Sequence, residues 1–191
     1  MEDSKVEKVA NWKPPMDVHG VQEFLGFTGY YCQFIKDYSK IAQPLLDLTK
    51  TTTPWHWNAA QNDAFECLHQ CMCLKPVLRQ LDFQKQFYIS TDASAYSLGT
   101  VLSQEGESFT PLDNDKPPPR SKLHPVAFYS ATLTSTERNY DIYKRELLAI
   151  MKTLAHWRQY LIWTPKPFTI LTDHANLLYW KSPRKLNRRT A

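Results

Sequence analysis

One hexapeptide pattern, Phe-x-Ile-x-Thr-Asp, occurs twice in the chain, as Phe87 to Asp92 and again as Phe168 to Asp173. Each copy alternates apolar and polar positions, which is the period of a half-buried β-strand, and each ends in a carboxylate. Two such tips meet only if their strands are neighbours in one sheet. Between the copies runs an amphipathic helical pattern in which Tyr140, Tyr143, Leu147, Ile150, Leu154, Trp157 and Leu161 recur at steps of three and four. This spacing predicts a single helix of more than five turns, with Glu146 on the border of its apolar stripe. A strand, a crossover helix and a returning strand make the last strand parallel to the first. That connectivity brings Asp92 and Asp173 together, with Glu146 above them.

The rest of the sheet is legible from the same signals. Phe87 to Thr91 and Leu98 to Leu102 read as a hairpin joined by the Ala93–Ser97 turn, and His124 to Ala131 reads as a third strand. The fourth strand is expected over Phe168 to Thr172, after Pro165 and Pro167 stop the helix. Thr134 and Glu137 form a capping box ahead of that helix. The stretch Glu105 to Lys122, with Pro117, Pro118 and Pro119 in succession, reads as a mobile loop.

The first part of the chain is helical in pattern. Asp17 is an N-cap before Val21, Phe24, Leu25 and Thr28, and a second short helix covers Ile41 to Leu48, interrupted by Pro44. A third is opened by Asn58 and Gln61 and turns Phe65, Leu68 and Met72 inward. Trp55 and Trp57 are expected to plug the core of this module; stacking on a base is the other reading. None of the acids of this part, Asp37, Asp47 and Asp63 among them, sits in a pattern like that of the strand tips.

Composition narrows the class. The chain has 191 residues, 42% of them hydrophobic, enough for a real core and unlike a disordered segment. No apolar run reaches the roughly 18 residues needed to span a membrane. Met1 to Lys8 is charged and lacks the apolar core of a signal peptide, so an intracellular, cytoplasmic setting is expected. The net charge of +4 is mild, but Lys181, Arg184, Lys185, Arg188 and Arg189 crowd one acid-free stretch. Such a stretch is either a solvated tail or a handle for phosphates. Cys67, Cys71, Cys73 and His69 lie close in sequence, yet helical spacing puts His69 opposite Cys67 and Cys71. That matches no common zinc site, and reduced thiols are expected.

Asp92, Glu146 and Asp173 are three oxygen donors on rigid elements. Oxygen-only ligands suit Mg²⁺ or Mn²⁺ rather than zinc. Two such ions about 4 Å apart are the usual device for in-line displacement at a phosphodiester.

These residues lie in recognisable stretches. Ser90-Thr91-Asp92-Ala93-Ser94 with Leu98 to Gln104, then Pro125 to Ser130, Glu137 to Tyr140 and Glu146 to Ile150, resemble the ribonuclease H domain of gypsy-type LTR-retrotransposon polyproteins. Trp157 to Leu161 and Leu171 to Leu177 continue that resemblance. Upstream, Phe24-Leu25-Gly26, Tyr30-Tyr31, Phe34-Ile35 and Pro44-Leu45 look like the segment that joins polymerase to nuclease in the same polyproteins. The resemblance implies an α/β, ribonuclease H-like fold with a mixed sheet, preceded by a small helical module. It implies a division into residues 1–80, like the thumb or connection of a reverse transcriptase, and 81–191, the nuclease domain. It also implies metal-dependent hydrolysis of the RNA strand of RNA–DNA hybrids. Asp92, Glu146 and Asp173 would be the catalytic and metal-binding residues, with two Mg²⁺ or Mn²⁺ ions as cofactors. The implied partners are the hybrid itself, contacted by the basic stretch from Lys181 to Arg189, and the polymerase and integrase parts of the polyprotein.

Three departures from the family pattern bear on function. No Asp-Asp pair occurs among the 191 residues, so the polymerase's catalytic turn is not in this segment. Cys32 stands where the family places a basic residue after the Tyr-Tyr pair. The family also continues into a further helix, a fifth strand and a fourth metal-binding aspartate beyond the position of Ala191. On that basis the alternative expectation is a truncated, catalytically inactive relic that still binds nucleic acid.

Overall fold

A computed structural model describes residues 11–73, 78, 80–106 and 118–172. Helix α1 spans Val18–Tyr30 and opens as the sequence predicts, with the extended Asp17 accepting the Gly20 N–H at 2.7 Å. Val21, Phe24, Leu25 and Thr28 are its buried face. Helix α2, Tyr38–Leu48, begins three residues earlier than expected and runs through Pro44 without ending there. Proline forgoes one backbone bond within a helix, and burial of Ala42, Leu45 and Leu48 offsets that loss. Helix α3 covers Ala59–Cys73, with Asn58 Oδ1 accepting from Ala60 N–H and Gln61 Oε1 from Asn58 N–H. The three helices share one core, centred on Phe24, Leu45, Phe65, Leu68 and Met72. Trp57 packs against it, whereas Trp55 remains 37% exposed. Only one of the two indoles therefore plugs the core: the turn after Pro54 aims the pair along the surface, their rings 5.9 Å apart.

The second core belongs to a four-stranded sheet in the order β3-β2-β1-β4. Strand β1 is Phe87–Ala93, β2 Ser97–Glu105, β3 Leu123–Thr132 and β4 Thr169–Leu171. The first three form an antiparallel meander, and β4 pairs in parallel with β1, as the crossover argument requires. The first three strands extend beyond their expected bounds, because cross-strand pairing carries Asp92 with Gly99 and Glu105 with Leu123. Residues 107–117, the middle of the expected loop, lie outside the described residues; its ends close by a Gly106 N–H to Lys122 carbonyl bond. The helical part meets β3 through polar contacts. Ser39 N–H donates to Ser130 Oγ at 2.8 Å, the Ser130 hydroxyl to Ser39 Oγ, and the Thr132 hydroxyl to Gln43 Oε1.

The long helix expected between the hexapeptides is three helices: α4 (Ser135–Arg138), α5 (Ile142–His156) and α6 (Arg158–Leu161). The capping box of Thr134 and Glu137 opens α4 as expected. The chain breaks at Asn139 because Asp141 acts as a second N-cap, its carboxylate accepting the Lys144 N–H at 2.8 Å. The buried face is also rotated from the expected stripe. Glu146, Ala149, Thr153 and Trp157 are buried, whereas Tyr140 and Leu147 are 39% and 37% exposed. Small residues at the contact let α5 approach the sheet closely, and its larger apolar side chains flank that contact. Glu146 thus lies on the buried face, not at its border.

Candidate active site

Asp92 is the sixth residue of β1 and exposed, one step before the strand ends at Ala93. The turn that follows is tightly held. Ser94 N–H donates to the Ser97 carbonyl, Ser94 Oγ accepts from the N–H groups of Tyr96 and Ser97, and the Ser94 hydroxyl donates to the Ser97 carbonyl. Such side-chain-to-backbone bonds are the usual reason that serine sits in turns. Asp92 is therefore carried on a rigid strand end and not on a loose loop.

Glu146 comes to the same end of the sheet on α5. That helix packs against β1, and Arg145, the residue before Glu146, donates from Nη1 to the Ser94 carbonyl at 3.1 Å. This bond ties the Glu146 turn of α5 to the turn that follows Asp92. Glu146 is only 6% exposed. Beside Asp92, Thr91 is buried, and its Oγ1 has no hydrogen-bond partner among the described residues.

Asp173, the third expected carboxylate, lies outside the described residues, which end at Thr172. So does the basic stretch of Lys181, Arg184, Lys185, Arg188 and Arg189. Among the described residues no three His, Cys, Asp or Glu side chains form a metal-holding group. The described part of the site is the pair Asp92 and Glu146: oxygen donors, one solvent-facing and one enclosed. That donor chemistry fits a hard divalent cation such as Mg²⁺ or Mn²⁺. The cysteines are free thiols in this structure. Burial, and then the neighbouring Cys67, push the Cys71 thiol up, and His69 stacks on Phe65.

Two neighbours of the site, Asp37 and Tyr96, lie outside the recognisable stretches. Asp37 precedes α2 in a left-handed conformation (φ 56°), and its Oδ1 lies 2.5 Å from where a Cβ on Gly99 would stand. Gly99 is the strand partner of Asp92. Tyr96, 68% exposed, stands at the turn after Asp92, and the guanidinium of Arg138 lies 5.4 Å from its ring centroid. The signal for Tyr96 was available in the sequence, as an aromatic residue in a serine-rich turn. For Asp37 there was none, because the contact joins residues far apart in the chain.

A four-stranded mixed sheet with an antiparallel meander, a parallel fourth strand and a crossover helix defines a mixed α/β domain with acids at one end of its central strand. The profile described as the RNase H-like domain found in reverse transcriptase matches residues 82–191, and the chain belongs to that family. It is 40% identical over 173 residues to the Transposon Tf2-3 and Tf2-4 polyproteins of Schizosaccharomyces pombe. That alignment covers 91% of this chain but only 12% of each polyprotein, so the chain spans about an eighth of the length of these relatives. Among solved structures, it is similar to a foamy viral protease-reverse transcriptase dRH in complex with double-stranded DNA, with a TM-score of 0.72 at 18% identity. That match covers 100% of this chain and 32% of the other. A foamy viral protease-reverse transcriptase in complex with an RNA/DNA hybrid gives the same TM-score at 17% identity, over 100% of this chain and 24% of the other. The ribonuclease H-like fold expected from the sequence is therefore the fold of this chain. Among the described residues no helix is long and apolar enough to cross a membrane.

Proposed function

We propose that this segment is the nuclease part of a retrotransposon reverse transcriptase polyprotein and hydrolyses the RNA strand of RNA–DNA hybrids. Asp92, Glu146 and Asp173 are its metal-holding carboxylates in this reading. The observation that carries it is the register of the parallel pair: Tyr88 with Thr169, Ile89 with Ile170, Ser90 with Leu171. The same offset in sequence relates Asp92 to Asp173. Glu146, tied by its neighbour Arg145 to the turn after β1, supplies the third acid. The relatives support the reading, because they are transposon polyproteins and one solved neighbour is described with an RNA/DNA hybrid.

In this arrangement Asp92 faces solvent and is the carboxylate a substrate-borne phosphate would meet first. Glu146, on the helix that packs against β1, is largely shielded from solvent. Mg²⁺ or Mn²⁺ ions bound by such carboxylates supply a lowered pKa for water and charge stabilisation for the leaving oxygen. Residues 1–80 are proposed as a thumb- or connection-like helical segment, residues 81–191 as the nuclease domain, and the basic stretch Lys181 to Arg189 as a phosphate contact. Polymerase and integrase parts of the polyprotein are the proposed partners, and the cytoplasm the proposed setting.

A labelled RNA–DNA hybrid incubated with the 191-residue chain, with and without Mg²⁺, tests the proposal. Cleavage of the RNA strand should require the metal and vanish in Asp92→Asn, which keeps the shape but removes the charge. Cleavage that survives Asp92→Asn would show that the site is elsewhere. Salt-sensitive binding with no cleavage by the parent chain would favour a binding relic instead.

A further inference from the structure

We infer that Tyr96 is a stacking platform for a nucleotide of the hybrid next to the scissile position; this rests on the nuclease reading above. A tyrosine at a turn is ordinarily free to swing. Here the backbone of Tyr96 is held on both sides, and an arginine lies over its ring. Its N–H donates to Ser94 Oγ at 3.2 Å, and its carbonyl accepts the Leu133 N–H at 2.8 Å. The Arg138 guanidinium lies over the ring at 5.4 Å from its centroid, and Arg138 is itself anchored by an Nε–H bond to the Leu133 carbonyl. One strand end, Leu133, thus fixes both partners. Despite this restraint the residue stays 68% exposed. An aromatic ring on a fixed backbone, with a guanidinium near its centroid and most of its surface open, is placed to receive a stacking ligand.

Its location selects the ligand. Tyr96 is four residues beyond Asp92, a span of at most roughly 14 Å of chain. Nucleotides along one strand of a duplex advance about 3.4 Å each, so the ring falls within a few nucleotides of whatever phosphate Asp92 serves. Arg138 adds a positive charge beside the ring, as a polyanion requires. Stacking on a base or sugar face tolerates any sequence, because every base presents a π-face. That suits an enzyme that must travel along a hybrid without reading it.

The experiment uses the 191-residue chain, Tyr96→Ala, Tyr96→Phe and Tyr96→Trp, and an RNA–DNA hybrid as the probe. Tyr96→Ala should raise KM for the hybrid about tenfold and leave kcat within about twofold. Tyr96→Phe and Tyr96→Trp, which keep a π-face, should match the parent. Binding of the hybrid in chelator to Asp92→Asn and to Asp92→Asn/Tyr96→Ala should show the same tenfold difference without any chemistry. Thermal unfolding should be unchanged, since the ring is exposed; if Tyr96→Ala lowers Tm, Tyr96→Leu takes its place with the same expectation. Unchanged KM and Kd in Tyr96→Ala, or an equal loss in Tyr96→Phe, overturns the inference while leaving the nuclease reading intact. A folded parent chain that neither binds nor cuts the hybrid overturns both.

Discussion

Substituting Gly99 by alanine tests whether the helical part is seated against the strand pair that carries Asp92. In an open strand, alanine outperforms glycine by about 0.5–1 kcal/mol, because glycine loses more freedom on folding. At Gly99 the new methyl would stand 2.5 Å from Asp37 Oδ1, well inside ordinary van der Waals contact. The Asp37 backbone is left-handed at φ 56°, and the residues after it are bonded to β3 through Ser39 and Ser130, so it is the carboxylate that must turn aside. Asp37 makes no side-chain cap bond, and turning the carboxylate off its preferred rotamer costs about 0.5–1.5 kcal/mol. Gly99→Ala should therefore leave the stability of the chain within about 0.5 kcal/mol, the rotamer cost offsetting the gain from alanine.

The decisive measurement is the difference in a second background. Asp37→Gly removes the obstructing carboxylate and suits the left-handed conformation. In that background Gly99→Ala should stabilise by about 0.5–1 kcal/mol, so the two substitutions couple by roughly 1 kcal/mol. Urea unfolding followed by tryptophan fluorescence reads both values. If Gly99→Ala stabilises both chains equally, the Asp37 carboxylate does not lie over the strand, and the helical part is not seated there.

Two further outcomes follow from the packing and the charges. Trp157, 1% exposed between α5 and the sheet, should cost about 3–5 kcal/mol when replaced by alanine, read as a lowered urea midpoint. Glu137 has its carboxyl held below the usual range, first by the hydrogen bond from Lys152 and then by the Thr134 N–H. Its folded pKa is depressed, so its stabilisation is complete above the ordinary carboxylate value of about 4.3 and is lost as pH falls through the lowered one. The stability gap between the parent and Glu137→Gln should therefore hold from pH 7 to about 5 and close in stronger acid.

The legible parts of this chain were those with a local or periodic signal. The two hexapeptides set strands that pair in parallel, and the capping residues Asp17 and Thr134 appear where their side chains predict. The helix between them was misread for a physical reason. Leu147 and Ile150 carry the strongest hydrophobic signal, but close approach to a sheet selects small side chains, so Ala149 and Thr153 occupy the contact. Asp141 was also missed as a helix start, because it stands inside a pattern whose spacing continues across it. The contact between Asp37 and Gly99 had no sequence signature at all: it depends on where α2 meets β3.

The rotated face of α5 also changes what kind of group Glu146 is. A carboxylate at the border of an apolar stripe is solvated and free to sample rotamers. One that shares the buried face with Ala149, Thr153 and Trp157 is largely withdrawn from water. Asp92, by contrast, stays in solvent on a strand end. The pair therefore combines a largely enclosed carboxylate with one that a solvent-borne ligand can reach. Ala149 and Thr153 are what make this possible: by drawing α5 onto the sheet, they set the depth at which Glu146 sits beside β1.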